Sequence, residues 1–250
     1  MNSLLIILSI ALAGPLIGSF LGVCKKYSEK QINLMLVFAS GVMVSISIFE
    51  LLPESFSMTS FNYVLLGLLT GGLLMFLLNK TLPHFHFLKF EQFDKRTVVK
   101  KVVLFLFLGI SIHNFPEGAA IGIGALANFN FSLVIALAIA LHDIPEAICI
   151  SAPYYFATGK KLKAFFITTL TAIPTVLGFL FSYFFLGDLS SAWLGGFISF
   201  TAGIMIYISF FEIIPLVIRS NTSKLILMSA YFLGGVTMVI VLQRILEINS

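Results

Sequence analysis

An all-α membrane protein with eight transmembrane helices is the fold that this sequence predicts, and three observations predict it. Hydrophobic residues fill 59% of the 250 positions and charged residues only 10%, against roughly 45–50% and 25% in soluble domains. Apolar runs recur from end to end, each near the roughly 20 residues that cross a hydrocarbon core about 30 Å thick at 1.5 Å per residue. Basic residues gather in every second loop, the alternation expected of segments that cross a bilayer back and forth.

The first span covers Leu4 to Val23 and stops at Cys24, Lys25 and Lys26. Ala11-Leu12-Ala13 resembles a signal-cleavage site, but Met1-Asn2-Ser3 lacks the positive charge a signal peptide needs, so the span is expected to stay. The second covers Ile32 to Leu52, and the third Tyr63 to Leu78. A long loop follows, with Lys80, Lys89, Lys95, Arg96, Lys100 and Lys101 and the cluster Pro83-His84-Phe85-His86. The fourth and fifth spans cover Val102 to Ala127 and Phe131 to Phe156, and a loop with Lys160, Lys161 and Lys163 leads to the sixth, Leu162 to Leu186. The seventh covers Ala192 to Ile218, ahead of Arg219 and Lys224, and the eighth Leu225 to Ile245. Of the 15 Lys and Arg, 14 fall on one side of this arrangement and only Arg244 does not. The positive-inside rule then puts both termini outside the cytoplasm. A pI near 9.1 therefore reflects membrane topology, and nucleic acid is not an expected partner. Two cysteines, Cys24 and Cys149, give no disulfide framework. The whole chain, 1–250, reads as a single integral-membrane domain.

An internal repeat adds a second level of order. Residues 38–53 align without gaps on residues 200–215, with eight of 16 positions identical, including Gly41 and Gly203, Met43 and Met205, Glu50 and Glu212, and Pro53 and Pro215. The second span runs outward and the seventh inward, so the copies have opposite topology, as in many secondary transporters. Ala13-Gly14-Pro15 echoes Ala172-Ile173-Pro174 in the sixth span. Spans one to three thus match spans six to eight in an inverted repeat, around a central pair, four and five.

That pair carries the chemistry. His113-Asn114-Phe115-Pro116-Glu117 and His142-Asp143-Ile144-Pro145-Glu146 are both H-x-x-P-E. Positions i and i+4 share a helix face, so each helix presents an imidazole beside a carboxylate. Each proline removes a donor from the carbonyl four residues earlier, Ile112 or Leu141, and both helices are expected to break at the level of their charged residues. Three carboxylates, Glu117, Asp143 and Glu146, cost on the order of 8–10 kcal/mol near mid-membrane, and no Lys or Arg lies in either span. Protonation, water or a bound cation can offset that cost, and two imidazoles beside the carboxylates select a borderline transition metal over sodium or calcium.

At these residues the sequence resembles the ZIP (Zrt-, Irt-like protein) family of divalent-metal transporters, especially its prokaryotic members. The resemblance covers essentially the whole chain. It implies zinc uptake into the cytoplasm across a prokaryotic plasma (inner) membrane, a homodimer, and no prosthetic group beyond the transported metal. It further implies a binuclear centre, with His113, Glu117, His142 and Glu146 on one metal and Asn114 and Asp143 on a second that shares both glutamates as bridges. Two departures stand out: the stretch Thr171 to Thr175 lacks a glutamate that some members place in the sixth helix, and Ala147 replaces a usual glycine.

Outside the pair, Glu50 and Glu212 read either as pathway ligands on opposite faces or as carboxylates hydrated at the interface. His84 and His86 read either as a zinc-collecting pair, as in histidine-bearing loops of the family, or as a solvated loop. Met43, Met205 and Cys149 read as packing. The alternative function is an intramembrane metal-dependent hydrolase with a glutamate activating water. It lacks the H-E-x-x-H signature, and an inverted repeat favours translocation.

Overall fold

The computed structural model describes residues 2–81, 95–127, 129–185, 191–220 and 224–248, and the regular structure among them is all helical. In chain order it comprises α1 (Asn2–Cys24), α2 (Glu29–Ile46), a π-helical turn (Ser47–Leu51), α3 (Leu52–Met58), α4 (Phe61–Thr81), α5 (Lys95–Ala127) and α6 (Phe129–Thr158). These are followed by α7 (Lys161–Thr169), α8 (Ala172–Phe185), α9 (Ser191–Tyr207), a second π-helical turn (Ile208–Ile213), α10 (Ile214–Ser220) and α11 (Leu225–Ile248). Seven stretches, from Ser3–Cys24 to Ser191–Ser220, are long and apolar enough to cross a bilayer, and Leu225–Val241 adds a shorter apolar helix.

Several boundaries move from their expected places for local reasons. Helix α2 begins at Glu29 because Ser28 and Gln31 form a capping box: Ser28 Oγ accepts from the Gln31 N–H, and Gln31 Oε1 accepts from the Ser28 N–H at 2.9 Å. Helix α5 is already present at Lys95, inside the stretch read as loop. In the loop after α1 the Tyr27 hydroxyl donates to the Leu21 carbonyl at 2.7 Å, and partial burial pushes its pKa up to about 12.

The expected breaks at the H-x-x-P-E prolines do not occur. Helices α5 and α6 run through Pro116 and Pro145 without interruption. Each proline forfeits one hydrogen bond, and close packing on a neighbouring helix at the same level holds the rest of the ladder. A Cβ on Gly178 of α8 would run into the Phe115 carbonyl, and one on Gly18 of α1 into the Ile144 carbonyl. The interruptions lie elsewhere. The sixth span breaks at Leu170 and Thr171, and the second and seventh each widen into a π-helical turn.

Four helix pairs make up most of the packing: α1 with α6, α5 with α8, α4 with α9 and α2 with α11. Glycines set their registers. Gly14, Gly18 and Gly22 of α1 face Ala140, Ile144 and Ser151, so both chains ascend together and the pair is parallel. Gly118 meets Thr175 and Gly122 meets Phe179, so α5 and α8 are parallel too. Gly41 lies on Phe232 while Gly235 lies on Phe38, and Gly203 lies on Leu68 while Gly71 lies on Phe200. Helices α5 and α6 also pack on each other, with the main hydrophobic core beside them. One end of the bundle carries the start of α1 and the end of α11, and will be called the terminal end. The other carries Lys25, Lys30, Lys80 and Lys160, and will be called the basic end.

Candidate metal centre

The centre is built where α5 meets α6. His113 and Glu117 project from one turn of α5 and His142 and Glu146 from one turn of α6, and the partners cross between helices. His113 Nε2 lies 2.9 Å from Glu146 Oε2, and His142 Nε2 lies 3.3 Å from Glu117 Oε1. Asp143 Oδ1 is 3.7 Å from the same His142 nitrogen. Asn114 points to the broken sixth span, where its Nδ2 donates to the Thr171 carbonyl at 2.8 Å. Thr171 sits in the break just ahead of α8, and Asn114 thereby ties α5 to the start of that helix.

All six side chains are buried, none more than 4% exposed. Many of their polar atoms nevertheless make no hydrogen bond within the protein. Both oxygens of Glu117 and of Asp143, Glu146 Oε1, Asn114 Oδ1, His113 Nδ1 and His142 Nε2 are all buried without a hydrogen bond. Leaving one such group unmade costs about 1–3 kcal/mol, more when it is charged, so the cluster has the composition of a cation site. Glu117, His142 and Asp143 each offer a ligand atom within 4.8 Å of the others. A mixed imidazole and carboxylate donor set of this kind fits a borderline divalent metal. On the sixth-span side, the Thr175 hydroxyl is likewise buried and without a partner, close to the place where a glutamate was missed.

A cavity of about 210 Å³ reaches the centre. Glu117, His142, Pro116 and Glu50 line its inner part, while Glu54 and Met58, at the end of α3, line its mouth. Every helix in its wall contributes its terminal-end half, so the cavity opens at that end. A smaller pocket of about 30 Å³ shares Glu50 and His142 with it and adds Gln243 of α11.

Glu50 sits in the first π-helical turn, near the centre, and faces Gln243 across the smaller pocket. Glu212 sits in the second, away from this cavity, and accepts from Asn79 of α4, which also donates to the Tyr207 hydroxyl at 3.3 Å. Met43, Met205 and Cys149 belong to the buried apolar core, as expected. His84 and His86 lie outside the described residues. Sequence reasoning missed Gln243, Asn79 and Thr171, which are polar residues near span ends with no motif around them; intramembrane amides were the signal available.

Comparison with known proteins identifies the family. The model of the ZIP zinc transporter family matches residues 89–243, which include both H-x-x-P-E helices. The chain is also 35% identical over 219 residues to proteins named zinc transporter ZupT from Salmonella paratyphi A, Salmonella newport and Salmonella enteritidis, covering 85% of this chain and 85% of each relative. The chain belongs to the ZIP family. ZIP proteins are transporters and not enzymes, so the hydrolase alternative is set aside. As a ZIP member of the prokaryotic type, the chain carries the six residues of the centre on two helices, α5 and α6, within the stretch that the family model matches.

Proposed function

We propose that this ZIP protein takes up divalent transition-metal ions, zinc foremost and iron, manganese, cobalt and cadmium besides, across the plasma membrane of a prokaryote into the cytoplasm. The observation that carries the reading is the group of unpartnered buried donors between α5 and α6, at the bottom of a cavity open at one end. His113, Glu117, His142 and Glu146 hold one metal. Asn114 and Asp143 hold a second, with the two glutamates as bridges. The free Asn114 Oδ1 supports this, since its amide nitrogen is already committed to Thr171 and its oxygen is left to a cation. The Thr175 hydroxyl or water completes the second site in place of the absent glutamate.

The site is exposed to the two sides in alternation, and the inverted repeat of spans one to three and six to eight supports this mechanism. Exchanging the halves turns the pair α1 with α6 into α8 with α5, and the pair α2 with α11 into α9 with α4; all four are the principal packings. The basic end faces the cytoplasm and both termini face outward, so the present cavity is the outward-open one. Residues 1–250 act as one transport domain, and two copies form a homodimer. Glu117→Ala and Glu146→Ala should each abolish saturable zinc flux in proteoliposomes while the protein stays folded. Near-normal flux in either variant would place the pathway elsewhere.

A further inference from the structure

The two π-helical turns carry the same device at opposite ends of the molecule. Glu212 accepts a hydrogen bond from Asn79, and Glu50 shares the wall of one small pocket with Gln243. Asn79 and Gln243 are themselves equivalent positions. Each stands eight residues beyond a glycine, Gly71 or Gly235, that packs on a carbonyl of the opposite repeat, Phe200 or Phe38. Each carboxylate therefore faces a carboxamide from the other repeat, across a helix pair that the glycines keep in fixed register. π-helical turns are rare and concentrate at functional sites, because the extra residue re-aims the side chains it carries.

The surroundings of the two carboxylates differ in a way that orders them along a path. Glu50 and His142 line both the large cavity and the small pocket containing Gln243, so Glu50 stands between its amide partner and the metal centre. An amide orients a carboxylate without cancelling its charge, and Glu50 keeps its attraction for an arriving cation. Glu212 has Arg219 close enough to act on it electrostatically. The position that the repeat pairs with Arg219 is Ser57, which is uncharged. A cation is thus held more strongly at Glu50 than at Glu212, which suits capture at the terminal end and release at the basic end.

We propose that Gln243 is a positioning residue that aims Glu50 at the incoming metal, and that Asn79 does the same for Glu212 on the release side. This inference rests on the transport reading above. When Gln243 fixes one carboxylate oxygen, the other is turned to the cavity, where it replaces part of the hydration shell before the ion reaches His142 and Glu117. Loss of the amide donor leaves Glu50 unaimed and weakens capture, while the centre itself is untouched.

The test compares wild type, Gln243→Leu, Gln243→Glu and Asn79→Leu by zinc flux in proteoliposomes, with equilibrium zinc binding to the solubilised protein measured in parallel. Both Gln243 variants should raise KM about tenfold with kcat within about twofold, which is what losing a hydrogen bond to a charged group is worth. Gln243→Glu keeps the shape of glutamine but sets a second carboxylate against Glu50, whereas Gln243→Leu removes the donor without adding charge, so agreement of the two variants reports the donor. Asn79→Leu should instead lower kcat severalfold with little change in KM. An unchanged KM in Gln243→Glu, with zinc binding and flux intact, would overturn the inference and leave the transport reading standing. Absence of zinc binding by wild type would overturn the transport reading, and this inference with it.

Discussion

His113 and Asn114 are adjacent on α5 and face different tasks. His113 meets Glu146 across the helix pair, whereas Asn114 holds the Thr171 carbonyl at the break in the sixth span. His113→Ala should lower zinc affinity more than about 100-fold, and Asn114→Ala by less than about tenfold, because an imidazole on a shared metal outweighs an amide on an auxiliary one. Asn114→Ala should also destabilise the fold by about 0.5–1.5 kcal/mol, by removing the hydrogen bond that ties α5 to the Thr171 carbonyl. Calorimetric zinc titration and thermal unfolding of the same samples separate the two effects. Acid should weaken binding, since imidazoles coordinate only when neutral and protons compete with the metal for them. At this scale the sequence was most legible. Four of the six residues, His113, Glu117, His142 and Glu146, follow from one motif written twice, because i and i+4 is a local relation, while Asn114 and Asp143 enter as ligands through the family resemblance. The Asn114–Thr171 bond joins positions 57 apart, and no local pattern announces it.

Single helices were legible in extent and less so in shape. Proline at 116 and 145 predicts a break, yet close packing on α8 and α1 overrides it. The true irregularities, at Ser47–Leu51, Ile208–Ile213 and Leu170–Thr171, each lie within a few residues of a proline, namely Pro53, Pro215 and Pro174. What distinguishes the two groups is the neighbouring helix, which local sequence does not display. The glycine contacts are the lever. Gly178→Ala puts a methyl group against the Phe115 carbonyl, a backbone atom that cannot turn aside. It should destabilise by about 1–3 kcal/mol, read as a fall of about 3–10 °C in the melting temperature of the solubilised protein. Gly196→Ala, with nothing within 4 Å, is the control and should melt as wild type.

Across the whole molecule, the repeat relates an open side to a closed one. The cavity walls include Ile46, Ala120, Ile135, Ile139 and Ile198. Their counterparts in the repeat and in the second H-x-x-P-E helix are Ile208, Cys149, Leu106, Ile110 and Leu36, and all five lie in the buried core. If the two sides open in turn, Cys149 lines the opposite cavity when that one forms. In a Cys24→Ser background it should react with a small water-soluble thiol reagent supplied from the basic side during zinc turnover, and not from the terminal side. Protection from both sides throughout turnover would argue against alternating exposure. The central claim, that α5 and α6 hold the transported metal, is tested most directly by locating zinc through anomalous scattering in crystals of the zinc-loaded protein. The account predicts a zinc peak enclosed by His113, Glu117, His142 and Glu146, with a weaker one toward Asn114 and Asp143. Zinc bound only elsewhere, with those four side chains still paired to each other, would contradict it.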